Sequence, residues 1–508
     1  MYYRYKTLIF SIIALFVLRD CLCNNRKNEE DVIDTAPISI PVSIALKDTF
    51  SSSVNRNIFG INIGFALKRE LDKDSGFVQL LRELHPASLR FPGGTVANYY
   101  HPELPVYGYR VSEIPAGLGT LYMEQNKRQE NILYNYMRLC KLVGAKAVYC
   151  ANLLTGTTSE VLFVIETLQK NNIPVLGIEL GNEFSLMEYR SKFPDAKTYI
   201  DKVRSTAHAI HKRFPELRVA VVAGDGVATE EKSTRSRFMY SWNQTLAKEN
   251  FYQAYTWHPY QDCAACDKDT YFDKVYLRNL LSLAPFQTNN LSRLSDNFTS
   301  VYGKDRKIWL TEWNIGNLNY LDNTFMQGAY VAENFLSLLD LNSQSKDIFE
   351  LTCLHSMEGL ISRQQGKLAP VYSKGGNHAS VQYFAFKFLS STLDSGMYKT
   401  QEVVYCEDAS VKANFICKAY HNKKLHKTYL YFINRSGKEI QFKVDVVRKS
   451  PIHIYAVDAK YPYATAGKTN YEKDYPDKLK AVVLREEFLE DAVVRLAPYS
   501  FGYVDYNN

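Results

Sequence analysis

The sequence predicts a (β/α)8 TIM barrel carrying a C-terminal β-sandwich domain that includes an N-terminal strand. Three observations predict it. Eight apolar, strand-like runs fall at 59–67, 87–94, 146–153, 177–183, 218–225, 254–260, 307–314 and 351–359. Helix-like stretches such as 196–213 and 326–342 separate most of them, and eight β-then-α repeats are the count of a closed barrel. Beyond a last helix at 380–391 the chain turns all-β. A doubly wound open sheet also accommodates eight strands. The barrel is favoured because glutamates end the fourth run, GIELGNEF at Glu183, and the seventh, KIWLTEWN at Glu312. Residues on strands four and seven converge only if the sheet closes.

The N-terminus reads as an export signal over 1–23. Arg4 and Lys6 precede an apolar run at 8–18, which is too short to span a bilayer comfortably. Cys21 and Cys23 stand at the −3 and −1 positions of a cut before Asn24, and lipidation of either cysteine is a rival reading. The chain is therefore expected to be secreted or extracytoplasmic, with no membrane span. A polar tether at 24–36 follows, and then 38–44 alternates apolar and polar residues as a half-exposed strand does. This segment, 37–57, is expected to join the sandwich. The barrel is assigned to 58–392 and the sandwich to 393–508, whose alternating runs include VVYCED, ANFICKAY, TYLYFINR and YSFGYVDY.

With 508 residues, 46% hydrophobic and 23% charged, the chain has ample material for a core. The net charge of +7 comes from scattered Lys and Arg, which argues against nucleic acid as a partner. Cys406 and Cys417 sit in a hairpin-like stretch and suggest a cross-strand disulfide in an oxidising compartment. Cys263 and Cys266 form a lone C-A-A-C without a second pair, so zinc is not expected. Sequons at Asn243, Asn290, Asn297 and Asn434 are about as many as chance gives. No metal cluster or cofactor motif is present: Gly93-Gly94 lacks the following Lys-Ser/Thr of a phosphate cradle.

Barrel sites lie at the C-terminal ends of the strands. That rule places Arg90 of ASLRFPGGT at the end of strand two, Asn152 on strand three, and Asn182 and Glu183 on strand four. His258 and Tyr260 of YTWHPY share one side of strand six at period two. Glu312, Trp313 and Asn314 end strand seven, and His355 and Glu358 come from strand eight. Two facing carboxylates are what glycosidic cleavage needs: one protonated to donate to the leaving oxygen, one ionised to attack or stabilise the sugar cation.

These residues resemble clan A of the retaining glycoside hydrolases. The resemblance implies Glu183 as acid/base, Glu312 as nucleophile, and Asn182 as a ligand of the sugar 2-hydroxyl. It further implies that Arg90 pairs with Glu312, that His258 and Tyr260 orient the nucleophile, and that Trp313 or Trp257 walls the sugar site. Within the clan the chain is most similar to family 51 α-L-arabinofuranosidases, through R-x-P-G-G, G-N-E, His-x-Tyr, E-W-N and the closing APYSFGYV. Where that family usually has Asn after Gly-Gly, this chain has Thr95, and R-x-x-G-G-T is closer to family 79, the heparanase and β-glucuronidase type. The expectation is a secreted arabinofuranosidase acting on a polysaccharide or oligosaccharide. The alternatives are a glucuronidase or other pyranoside hydrolase, a carbohydrate-binding barrel without catalysis, and a structural surface protein. The stretch of about fifty residues between strands two and three, rich in tyrosine, is expected to shape the cleft.

Overall fold

The computed structural model describes residues 39–63, 70–115, 131–224, 233–261, 291–293, 295–315, 323–345, 347–362, 373–444, 451–459, 482–490 and 492–507. The export signal, the tether, Cys263, Cys266 and Asn290 lie outside these.

Eight parallel strands close into a barrel. In order they are Gly60–Asn62, Ser88–Phe91, Lys146–Cys150, Val175–Glu179, Val219–Val222, Ala254–Thr256, Lys307–Ile315 and Phe349–His355. Each pairs with its sequence neighbour, and the eighth pairs back onto the first, Cys353 opposite Gly60. All eight expected strands are present, and their apolar content follows from burial on both faces. The interior is filled by Val148, Ala220, Ala254, Trp309, Leu351 and Cys353. Trp309 lies so close over Gly177 that a β-carbon there would meet its ring at 2.0 Å. Only glycine fits opposite that indole. Arg90 and Glu179 stand above this apolar plug, and the site is built on it.

The helix Ala196–Arg213 has the bounds its periodicity predicts, with Asp195 capping the amide of Thr198. The long helix Phe325–Ser345 follows strand seven, and Val381–Ser390, capped by Ser380, closes the barrel. Among the described residues no helix is long and apolar enough to cross a membrane.

The sandwich pairs a seven-stranded sheet with a three-stranded one. The N-terminal segment joins both. Ile40–Pro41 pairs with Ile440 and Gln441, and Ser43–Ser53 pairs antiparallel with Met397–Tyr405. Between the sheets lie Val42, Phe415, Ile440, Phe442, Val494 and Leu496. The other face of the large sheet packs on the closing barrel helices, with Phe388 on Tyr455 at 4.8 Å and Phe325 on Phe501 at 5.7 Å. Lys418 adds an ion pair to Asp340 at 2.5 Å.

The expected disulfide does not form: Cys406 and Cys417 are free thiols. The two strands do pair, but Thr400 stands opposite Ala419, a register that places Cys417 across from Glu402. The turn helix Ala409–Asn414 then carries Cys406 out of the ladder. Two of the sequon asparagines also serve the fold. Asn243 and Asn434 are fully buried, and each amide donates to backbone carbonyls.

Candidate active site

Strand four ends at Glu179, four residues before Glu183. Gly181 and Glu183 adopt left-handed backbone conformations, with φ of 104° and 55°. A glutamate at positive φ is uncommon and is held there by its surroundings. Asn98, on the turn Thr95–Tyr99, supplies that hold. Its Oδ1 accepts the Asn182 amide at 3.0 Å and its Nδ2 donates to the Asn182 carbonyl at 2.8 Å.

Strand seven brings its acid in by a bulge. Leu310 pairs with Thr352 and Trp313 with Leu354, so one extra residue is inserted between them. Thr311 and Glu312 consequently both face the mouth, and Trp313 returns to the outside. Period-two alternation from Glu312 misses Thr311 for this reason.

Arg90 is the hub. Its Nε and Nη2 donate to the two carboxylate oxygens of Glu179 at 2.7 and 2.8 Å, and its Nη1 donates to Glu312 Oε1 at 2.6 Å. Nη2 also reaches Asn182 Oδ1 at 2.9 Å. Bidentate, fully buried guanidinium pairing of this kind is strong and directional. The second oxygen of Glu312 accepts the Tyr260 hydroxyl at 2.7 Å. Tyr260 is placed by the short bridge Tyr260–Gln261, which pairs with Asn314 and Ile315. Burial pushes the Glu312 carboxyl up, but His258, Arg90 and His355, with the Tyr260 hydrogen bond, hold it well below the usual carboxylate range.

Glu183 has a different environment. Its Oε1 is 2.9 Å from His258 Nδ1, and the other ring nitrogen of that histidine is 3.0 Å from Thr311 Oγ1. Burial pulls the His258 pKa down, but Glu312 and Glu183 outweigh it and raise it above the ordinary value. One oxygen of Glu183, one of Glu312 and a His258 nitrogen lie within 4.8 Å of one another. Such a trio has the donors of a cation site. Here both His258 nitrogens are engaged and Arg90 already supplies the positive charge, so the residues do not fit a metal.

Arg90, Asn182, Glu183, His258, Tyr260 and Glu312 thus converge, and His355 joins them with its ring 5.9 Å from that of Tyr260. Three expected binding residues do not contribute in the way predicted. Trp313 is fully buried, edge-on to Phe335 of the outer helix layer at 4.8 Å, so it forms no wall of the cleft. Trp257 likewise packs into the core, 5.3 Å from Phe298. Asn152 spends its whole amide on the scaffold, donating to the Tyr100 carbonyl after strand two and to the Thr155 hydroxyl, and accepting from the amides of Leu154 and Thr155. Two donors and two acceptor positions are all an asparagine has. Glu358 is exposed on the helical turn Met357–Leu360.

The stretch after strand two, where described, is packed scaffold. Tyr100 is edge-on to Phe91 and donates to Asn131, and His101 bridges Glu113 and Glu160 at 2.7 Å each. Glu179 and Thr311 are site residues that sequence reasoning missed, as it missed the clamping role of Asn98 on the Asn182 backbone. Glu179 had a visible signal: a charge inside an otherwise apolar strand must find a buried partner.

No family model matches the chain, and no curated protein matches it significantly. Solved structures do. An α-L-arabinofuranosidase from Thermotoga maritima, in complex with arabinose, matches with a TM-score of 0.64 at 14% identity, over 92% of this chain and 100% of that one. A family 51 α-L-arabinofuranosidase from Bifidobacterium longum gives 0.66 at 13%, over 93% and 100%. A 4-O-α-L-rhamnosyl-β-D-glucuronidase from Fusarium oxysporum gives 0.56 at 12%, over 92% and 100%. The chain has the barrel-and-sandwich fold of these proteins. At such identities the likeness concerns the fold.

Proposed function

We propose that the protein is a retaining glycoside hydrolase, with α-L-arabinofuranosides as its substrates. The observation that carries this reading is the pair Glu183 and Glu312, with carboxylate oxygens within 4.8 Å at the barrel mouth and opposite environments. That separation suits double displacement, for which carboxyl groups stand about 5–5.5 Å apart, whereas an inverting site leaves room for a water at roughly 6.5–9.5 Å. Glu312, held ionised by Arg90 and oriented by Tyr260, attacks the anomeric carbon. The bond to the leaving oxygen breaks as Glu183 delivers its proton there. Water, deprotonated by Glu183, then releases the sugar from Glu312. Asn182 keeps one amide hydrogen for a sugar hydroxyl, since its oxygen accepts from Arg90 and its amide also donates to Glu183 Oε2 at 3.5 Å. The export-signal pattern ahead of Asn24 supports secretion, which brings such an enzyme to polysaccharide.

The arabinofuranoside assignment draws on the fold of the neighbours and on the R-x-P-G-G, G-N-E and E-W-N motifs. The glucuronidase reading stays as the second choice because of Thr95. Neither nearby asparagine replaces the amide missing there: Asn98 clamps Asn182 and Asn152 is saturated. An unmet hydrogen bond of this type costs about 1–3 kcal/mol. A panel of aryl arabinofuranoside, xyloside, glucuronide and galactoside decides the matter. Arabinofuranoside should be cleaved best, and more rapidly still by Thr95→Asn. A wild type that prefers glucuronide by about tenfold, roughly 1.4 kcal/mol of discrimination, overturns this choice of sugar.

The pH profile carries a separate expectation. Because Glu312 is held well below the carboxylate range, kcat/KM should stay level down to about pH 4, where an ordinary glutamate protonates. It should fall only on the alkaline side, above about 6.5, as His258, raised by Glu312 and Glu183, loses its proton. An acid limb near pH 5, in a protein still folded by circular dichroism, would contradict the assignment of Glu312 as the ionised partner.

A further inference from the structure

The two carboxylates are joined by an unbroken hydrogen-bonded chain that runs beneath the cleft. From Glu183 it passes to His258 Nδ1, from His258 Nε2 to Thr311 Oγ1, from Thr311 to Glu179 Oε2 at 3.1 Å, and through Arg90 to Glu312. We propose that Thr311, anchored on Glu179, is a positioning residue that fixes His258 as the Nε2–H tautomer and so makes its Nδ1 share one proton with Glu183. The inference deepens the glycosidase reading and rests on it only for its kinetic consequence.

The argument is one of donor supply. A threonine hydroxyl has a single hydrogen. Glu179, bound through both oxygens to Arg90, is acceptor-only, so the Thr311 hydrogen is spent on it. Thr311 can then only accept from His258, and Nε2 must carry the hydrogen. Which nitrogen of a histidine is protonated follows from the partner of the other. With Nε2–H fixed, Nδ1 has two states toward Glu183. Either the imidazolium donates to the carboxylate, or the neutral ring accepts from the carboxylic acid. One proton moves between Nδ1 and Oε1 while every other hydrogen bond stays in place.

That device fits an acid/base that must be protonated in the first step and ionised in the second. When Glu183 gives its proton to the leaving oxygen, His258 is left neutral with Nδ1 free to accept. The water consumed in the second step returns a proton to the same position. The other charged or titratable groups that face His258 are Glu312 on strand seven, Arg90 on strand two and His355 on strand eight. None of them hydrogen-bonds to a ring nitrogen of His258, both of which are taken by Glu183 and Thr311.

The test is the 15N spectrum of the full-length protein, with the His258 signals identified by their loss in His258→Gln. Above the titration of His258, Nε2 should show the shift of a protonated nitrogen and Nδ1 that of an unprotonated one. The reverse assignment in the wild type overturns the proposal. In Thr311→Val the Nδ1–H tautomer should appear, and Thr311→Ser should restore the wild-type pattern. A Thr311→Val spectrum identical to the wild type also overturns it. Should Thr311→Val not fold, the wild-type and Thr311→Ser spectra decide. In kinetics, Thr311→Val should lose about tenfold in kcat/KM on poor leaving groups and shift the alkaline limb to lower pH, whereas general damage would depress all substrates alike and leave the limb in place. Absence of any glycoside cleavage by the wild type would count against the glycosidase reading, while the spectrum still decides the tautomer.

Discussion

Replacing Glu312 by alanine is expected to lower turnover by at least about 10⁴-fold, the scale seen when a covalent nucleophile is removed. The fold should survive, because Arg90 keeps its bidentate partner Glu179 when Glu312 is gone. Azide fills the vacated space and attacks the anomeric carbon directly, so the recovered glycosyl azide should have inverted configuration. Glu183→Ala behaves differently. The nucleophile remains, a glycosyl-enzyme still forms from activated aryl glycosides, and the loss is concentrated on leaving groups that need a proton. Azide then intercepts the covalent intermediate and gives product of retained configuration. Chromatographic separation of the two anomeric azides distinguishes these outcomes. Retained azide from Glu312→Ala, or equal losses by Glu183→Ala on good and poor leaving groups, would exchange or abolish the two roles.

The barrel was legible in the sequence because buried parallel strands leave continuous apolar runs and the intervening helices leave capped, periodic stretches. The helix at Ala196–Arg213 illustrates this, with its Asp195 cap and seven buried positions on one face. Glu183, Glu312 and Arg90 were legible for the related reason that strand ends at the mouth of a barrel hold functional groups. What was not legible depended on departures from regular geometry. The bulge after Leu310 turned Thr311 inward beside Glu312, against the alternation the sequence suggests. Register decided the cysteines: with Thr400 opposite Ala419, Cys417 falls in line with Glu402 and not with Cys406, and no residue near Cys406 announces that. Asn152 and Asn98 exchanged importance for a third reason. An asparagine's value to a ligand depends on how many of its hydrogen bonds the loop has already used, and that is a property of tertiary contacts.

The largest effect on stability is expected from Arg90→Met. Glu179 is fully buried and the Glu312 side chain is 6% exposed, and Arg90 is the cation that both carboxylates share. Removing one member of a buried ion pair typically costs about 3–5 kcal/mol, because the remaining charge keeps its desolvation penalty. Here two like charges would be left facing each other. The pH dependence of the Glu312 contribution should also change sign. In the wild type the Glu312 pKa is depressed, so its stabilisation is present above the ordinary carboxylate pKa and is lost as the pH falls toward the folded-state value. Without Arg90, burial dominates and pushes the carboxyl up, so the penalty is greatest at neutral pH and is relieved as acid protonates the group. Urea unfolding at pH 7.5 and 5 should therefore show Arg90→Met gaining more stability in acid than the wild type, whose gain over this window comes from the raised His258 and not from Glu312. The acid limb of any residual activity should move upward with the freed Glu312. Replacing Glu179 and Arg90 together by Met and Met should cost less than the sum of the two single changes, since the double variant buries no unpaired partner from that contact. Additive losses, or an Arg90→Met variant that gains no more stability in acid than the wild type does, would mean that the guanidinium is a brace for the barrel and not the electrostatic centre of the site.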